Sequence, residues 1–378
     1  MKRPAPVVLI AGGGTGGHVF PGIAVAEAME RISGVRVVFA GTKKGLEARV
    51  VPDHGYELLT LDVSAMQGGG AMRFMKGGLV AARATLEGLR EVERLAPRAI
   101  LSVGGYAAGP ISLAGVMRKV PLAIYEPNRA AGLTNRWLSR FSKRMYVAWE
   151  ETAKEWPSKA RRYGIPLRSG FGPQPARKDD GPLTLLVLGG SQGARRLNEY
   201  VPRAVSSVRK GALADLRVIH QAGAGRDADV RAAYEAVGVS AEVRTFIDDM
   251  PAALASADVV IGRAGATAVA ELCSVGRAGV LVPFPFAADN HQVENARSLE
   301  RLGGCICVEE SEFDGGALER ALTTLLSDSE KRRTVSEHAL AWNRSGAASD
   351  IAHDFLDLAG CIPKENGNGE RSPLSEGI

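Results

Sequence analysis

Val7-Val8-Leu9-Ile10-Ala11-Gly12-Gly13-Gly14-Thr15-Gly16-Gly17-His18-Val19-Phe20-Pro21-Gly22 carries an apolar run straight into glycines, with a helical pattern behind them. Such a run bounded by glycines reads as a buried strand handing over to a helix. Bare backbone N–H groups and the positive end of the helix can then face an anion or a sugar. A histidine, His18, lies in the same turn. One such loop is equally compatible with a plain tight turn. The chain has a second, in which Leu183-Thr184-Leu185-Leu186-Val187-Leu188 leads into Gly189-Gly190-Ser191-Gln192-Gly193-Ala194-Arg195 and another helical pattern.

Neither loop ends in the Gly-Lys-Ser/Thr of a nucleoside-triphosphate cradle, so that class is excluded. The dinucleotide reading needs an acidic residue at the end of the next strand. Val35-Arg36-Val37-Val38-Phe39-Ala40 ends instead in Gly41-Thr42-Lys43, which argues against a nicotinamide or flavin oxidoreductase.

The 378 residues suffice for two domains with separate cores. No apolar stretch is long enough to span a bilayer, and Met1-Lys2-Arg3-Pro4 leads into a strand without a signal-peptide core, so the cytoplasm is the expected compartment. Cys273, Cys305, Cys307 and Cys361 are scattered and lack zinc-site spacing, which makes them buried small hydrophobes and predicts no metal site. A formal charge of +5 fits nucleic acid, an anionic membrane or a phosphorylated ligand alike.

Strand-length apolar runs alternate with helix-length amphipathic stretches in both halves, which predicts α/β domains with parallel sheets. The expected strands are Val7–Ile10, Val35–Ala40, Ile100–Val103, Leu122–Tyr125 and Met145–Ala148, then Leu183–Leu188, Leu216–Ile219, Val243–Phe246, Val259–Ile261, Gly279–Val282 and Ile306–Val308. Tyr163–Arg168 and Pro173–Pro182 read as linker and domain edge, dividing the chain into residues 1–164 and 165–344. An amphipathic helix from Ser345 to Leu358, within residues 345–360, packs on one of the domains, and residues 363–378 read as a disordered tail. Open parallel sheets hold ligands at the carboxyl ends of their strands, so both glycine loops are expected to line an interdomain cleft.

Further polar segments follow predicted strands: Gly104–Pro110, Glu126–Asn135, Gly262–Glu271 and Pro283–Asn295, the last with Asp289-Asn290-His291-Gln292. Together with the 189–195 loop and Phe246-Ile247-Asp248-Asp249-Met250, and over residues 7–360 in order, they resemble the MurG family of peptidoglycan glycosyltransferases. That resemblance implies a GT-B fold of two Rossmann-like domains, with the last helix crossing back to the N-terminal one. It implies inverting, metal-independent transfer of N-acetylglucosamine from its UDP donor to the C4 hydroxyl of undecaprenyl-pyrophosphoryl-N-acetylmuramyl-pentapeptide (lipid I), giving lipid II, with no cofactor. Tyr125 and Pro127 stand where some members carry His and Gln, and Gly164-Ile165-Pro166 replaces a more usual Gly-Asn-Pro.

The resemblance assigns donor binding to Thr15, Gly16, Gly17, Asn128, Arg168, Ser191, Gln192, Ile247, Ala266, Thr267, Glu271, His291 and Gln292, and acceptor binding to Gly14, Tyr106, Asn128 and Asn135. The chemistry of the residue types agrees. Glu271 sits in an apolar helical stretch, where a carboxylate can accept two ribose hydroxyls. Arg168 and the 189–193 loop suit a departing diphosphate, and the Gln292 amide suits sugar hydroxyls. His18 is the candidate general base because neutral imidazole takes a proton near neutral pH, with Glu126 as the alternative.

Residues 71–83, basic and apolar, resemble the family's docking surface for the anionic inner membrane, and place the chain peripherally on its cytoplasmic face. Cell-wall synthesis and division proteins are implied partners; nucleic acid is not. Two alternatives share these features: a GT-B transferase acting on diacylglycerol, disfavoured by the two acceptor-side motifs, and a non-catalytic membrane adaptor, disfavoured by the intact donor residues.

Overall fold

The structure, a computed structural model, describes residues 4–63, 71–105, 107–175, 181–190, 193–209 and 213–362, with the side chains of residues 71–79 and 288 outside the description. Its first sheet contains β1 (Val7–Gly12), β2 (Arg36–Thr42), β3 (Glu57–Leu61), β4 (Ile100–Gly104), β5 (Leu122–Glu126), β6 (Arg144–Val147) and β7 (Ala160–Arg162), ordered β3-β2-β1-β4-β5-β6-β7. The second contains β8 (Thr184–Leu188), β9 (Arg217–Gln221), β10 (Ala241–Arg244), β11 (Val259–Gly262), β12 (Ala278–Leu281) and β13 (Ile306–Cys307), ordered β10-β9-β8-β11-β12-β13. The pairings are parallel. Helices cover both faces of such sheets, so central strands such as β4 and β11 are buried at every position and read as unbroken apolar runs.

The crossovers of the first half are α1 (Gly16–Ile32), α2 (Glu47–Asp53), α3 (Ala71–Leu95), α4 (Ala108–Met117), α5 (Leu133–Leu138) and α6 (Glu150–Glu155). The second half adds α7 (Arg195–Val208), α8 (Asp227–Ala236), α9 (Met250–Ser256), α10 (Ala266–Val275), α11 (His291–Arg301), α12 (Ala317–Ser327), α13 (Ser329–Trp342) and α14 (Ala347–Leu358). Two strands were not expected from the sequence. β3 and β7 are edge strands with partly exposed or charged residues, which blurs the apolar run by which buried strands are recognised. β10 lies two residues before its expected end, leaving Phe246 exposed in a loop.

The last helix belongs to the first sheet's core. On α14, Ile351, Ala352, Phe355 and Leu356 are fully buried among Val25, Met29 and Tyr146. Tyr146 Oη donates to Asp354 Oδ2 at 2.8 Å, and Arg144 pairs with the same carboxylate at 3.2 Å. Fully burying one such apolar side chain is worth about 1.5–3 kcal/mol, so the crossover is held by packing more than by the ion pair. The junction between the halves is packed as well: Trp149 packs against Trp342 with centroids 4.6 Å apart and planes inclined by 44°, and its indole N–H donates to the Pro127 carbonyl at 3.1 Å. Ile165, read as linker, is buried in that cluster.

Candidate active site

The glycine loop after β1 closes on a residue the motif reading missed. Glu47, first residue of α2, is buried against the loop, where Gly14 N–H donates to its Oε2 at 2.6 Å while Thr42 N–H and Oγ1–H donate to its Oε1, both at 2.8 Å. A Cβ at Gly13, Gly41 or Gly45 would overlap the Glu47 side chain, so three glycines form its socket. Burial pushes its pKa up, but the backbone and hydroxyl donors more than reverse this and hold it below the ordinary carboxylate value. Gly14, expected to face the acceptor, is exposed at φ +92°, with its N–H committed to Glu47. The signal lay in Gly41 and Gly45 bracketing Thr42, but a glutamate at a helix start reads as a solvated residue.

His18 lies in the first turn of α1, half-buried, with Nδ1 3.3 Å from Oγ1 of Thr15, the N-cap residue. Burial lowers its pKa below the usual 6.5, and the nearby His291 lowers it too, while the Gly13 backbone and Glu47 act in the opposite sense. His291 belongs to the second half, so its influence on His18 acts across the cleft. Gly16 and Gly17 open the helix, and a Cβ at Gly17 would stand 3.5 Å from Thr267 Oγ1, so α1 and α10 meet end to end across the cleft.

Glu126, at the end of β5, is fully buried. Asn128 N–H and Nδ2–H donate to its Oε1 at 3.0 and 3.1 Å, and Gly132 N–H and Asn135 Nδ2–H to its Oε2 at 3.1 and 2.9 Å. Four donors fill the four lone-pair positions of a carboxylate, so Glu126 fastens the 126–135 loop and has no lone pair left to serve as the alternative base. Burial raises its pKa, opposed by the same four donors. Asn135, expected on the acceptor, is likewise buried and turned inward, its amide also donating to the Tyr125 carbonyl at 3.1 Å. Asn128 Oδ1 accepts from Asn295 Nδ2 at 3.2 Å, so the 126–135 loop is tied to α11 of the other half.

On the donor side, Glu271 on α10 faces Arg168 at 3.6 Å. Burial raises its pKa to about 7, against the lowering effect of Arg168. The Arg168 guanidinium also lies over the Phe20 ring of α1, 4.8 Å from its centroid, reaching across the cleft. Ala266 is the first residue of α10 after the Gly265 N-cap; the adjoining Thr267 Oγ1 is buried with no partner among the described residues. Ile247 is buried beside exposed Phe246. A cavity of about 800 Å³ opens between Ile23 and Glu27 of α1 and the segments carrying Arg168, Phe171, Asp248 and Asp249. Gln292 Oε1 accepts the Phe284 N–H at 3.0 Å, which shapes the loop that turns through left-handed Asp289 and Asn290.

Tyr106, Ser191, Gln192 and the 363–378 tail lie outside the described residues. Behind β8 lies a buried polar cluster: His220 Nε2 meets Asn198 Oδ1 at 3.1 Å and its Nδ1 meets Tyr234 Oη at 3.0 Å. Burial drives the His220 pKa down to about 3, so this imidazole is neutral and holds α7 against β9. Cys273, Cys305 and Cys307 are buried, and no group of three or more potential metal ligands occurs among the described residues.

The glycosyltransferase family 28 N-terminal domain matches residues 8–147, and the glycosyltransferase family 28 C-terminal domain matches residues 184–354. The chain is 47% identical over 358 residues to the UDP-N-acetylglucosamine–N-acetylmuramyl-(pentapeptide) pyrophosphoryl-undecaprenol N-acetylglucosamine transferase of Sorangium cellulosum, spanning 93% of this chain and 88% of that protein. The protein of the same name from Anaeromyxobacter dehalogenans is 42% identical over 359 residues, spanning 93% and 92%. The crystal structure of Acinetobacter baumannii MurG superposes with a TM-score of 0.79 at 30% identity, over 93% of this chain and 99% of that one.

Proposed function

The chain belongs to glycosyltransferase family 28, and from that premise we propose that it transfers N-acetylglucosamine from UDP-N-acetylglucosamine to undecaprenyl-pyrophosphoryl-N-acetylmuramyl-pentapeptide, converting lipid I to lipid II in peptidoglycan synthesis. The observation that carries this reading is identity of 47% along nearly the whole chain to a relative of that name. The geometry supports it, because His18 on one half and Glu271, Thr267 and His291 on the other border a single cleft.

In this reading Glu271 accepts the ribose hydroxyls and the Ile247 backbone edges the uracil. Arg168 and the 189–193 loop hold the diphosphate, and Gln292 and His291 the donor sugar. His18 takes the proton from the acceptor C4 hydroxyl as its oxygen bonds to the anomeric carbon. The bond from that carbon to the β-phosphate oxygen breaks with inversion, and UDP departs with the electron pair. Developing negative charge on UDP is met by fixed donors and a cation, the arrangement that most lowers such barriers. No metal ion or cofactor enters the scheme.

No described helix is long and apolar enough to cross a membrane. We place the enzyme peripherally on the cytoplasmic face of the inner membrane, through the basic, apolar start of α3, with cell-wall synthesis and division proteins as further partners. Transfer of labelled N-acetylglucosamine to a lipid I analogue, with diacylglycerol as the control acceptor, tests the assignment. Transfer to the control alone would move the chain to the diacylglycerol class, and transfer to neither would make it an adaptor.

A further inference from the structure

Glu47 and His18 both bear on the glycine loop after β1. The N–H of the Gly13–Gly14 peptide donates to Glu47 Oε2 at 2.6 Å. Thr15, the next residue, sets its Oγ1 3.3 Å from His18 Nδ1, and the Gly13 backbone and Glu47 both favour the protonated ring. Carboxylate and imidazole therefore bear on three consecutive residues of one loop, Gly13 to Thr15. The loop is built tightly. The three glycines make the room that Glu47 fills, Thr42 fixes its other oxygen, and a Cβ at Gly104 would come within 3.0 Å of the His18 ring.

We propose that Glu47 is a positioning residue for the transfer reaction, orienting His18 by fixing the glycine loop that carries its Thr15 partner and stabilising the imidazolium that forms when His18 takes the acceptor proton. The proposal rests on His18 being the base. A carboxylate directly bonded to the imidazole would serve in the same way; here the glycine loop is interposed. The proton travels from the C4 hydroxyl to the His18 ring. Negative charge at Glu47 compensates the positive charge left on the ring, while His291 of the other half acts against it. The same bond withholds the Gly14 amide from any ligand, because a carboxylate already occupies it.

The test compares wild type with Glu47→Gln in the full-length protein, reading the His18 titration by NMR without substrate, the kcat–pH profile and UDP-N-acetylglucosamine affinity. Loss of the charge is expected to lower the His18 pKa and the acidic limb of kcat by about one unit. The plateau kcat falls roughly tenfold, the rate equivalent of one such unit, with donor affinity within twofold of wild type. An unmoved His18 titration in a folded variant overturns the link to Glu47. A shifted titration with unchanged kcat, together with a fully active His18→Ala variant, overturns the base assignment instead and the proposal with it. Should Glu47→Gln fail to fold by its thermal melt, Glu47→Asp, which withdraws the charge from Gly14 by one methylene, must move the same titration downward; an unchanged value there overturns the proposal.

Discussion

The carboxamide oxygen of Asn295, on α11, accepts the backbone N–H of Arg129 at 2.9 Å, on the loop after β5. The amide nitrogen of the same side chain donates to Asn128 Oδ1 at 3.2 Å and to the Ala264 carbonyl at 3.1 Å. One fully buried side chain thus joins the loop fastened by Glu126 to the turn that opens α10, where Thr267 and Glu271 stand. The two walls of the cleft are held in register by polar groups that have no water to fall back on.

Asn295→Ala leaves the Arg129 N–H and the Asn128 and Ala264 oxygens without this partner inside the protein. An orphaned buried polar group costs about 1–3 kcal/mol, so thermal unfolding should show a loss of at least that size. A loss under 0.5 kcal/mol, roughly the effect of an ordinary surface substitution, would mean the contact is not maintained in solution.

The diphosphate is expected to be held without a divalent ion, since Arg168 and the helix-opening loops supply the charge compensation. Excess EDTA should leave the transfer rate near its starting value, whereas Arg168→Ala should lower kcat by about 10²–10³, the worth of one preorganised donor. A collapse in EDTA restored by Mg²⁺ or Mn²⁺ would refute this account of leaving-group stabilisation.

Legibility in the sequence followed burial. Central strands such as β1, β4 and β11 are apolar on both faces and announce themselves, as does the helical period of Ile351, Phe355 and Leu358 on α14. Edge strand β7, Ala160-Arg161-Arg162, carries charges where it meets solvent and shows no such run. In the site the difficulty is different. Asn135 and Glu126 look like ligand groups because they are polar and follow a strand, yet their partners are each other, and only the turn of the 126–135 loop reveals this. The roles of Glu47 and Asn295 were hidden for the complementary reason: each also acts on a loop distant in sequence, Glu47 on Gly14 and Asn295 on Arg129, and no local pattern encodes those contacts.

Glu271 titrates near pH 7 in the ligand-free protein because burial disfavours its charge. Ribose hydroxyls donate to the ionised form, so donor binding should draw the proton off. Affinity for UDP-N-acetylglucosamine is therefore expected to be flat above about pH 7 and to fall with decreasing pH, approaching tenfold per unit. Calorimetry in buffers of different ionisation enthalpy should detect proton release near pH 7. Glu271→Ala should abolish that release and weaken binding by about 1.5–3 kcal/mol per charged hydrogen bond. A pH-independent affinity, or an unaffected folded variant, would remove Glu271 from the donor site.

His18 titrates on the acidic side of 6.5, since burial and His291 disfavour the imidazolium more than Gly13 and Glu47 restore it. A general base must be neutral to act, so kcat is expected to fall as pH drops through a limb lying below 6.5. The Glu271 effect sits higher, near 7, and appears in donor binding, so the two groups separate by both position and parameter. His18→Ala should lower kcat by about 10²–10⁴, the usual worth of general acid–base catalysis, and erase the limb. Donor affinity should change little, because the proposed UDP contacts lie largely in the other half. A near-wild-type kcat in the variant would make His18 structural; with all four lone-pair positions of Glu126 filled, the proton would then have to leave through water. A matching fall in donor affinity would instead make the histidine a support for the cleft wall, carried there by the end-to-end approach of Gly17 and Thr267.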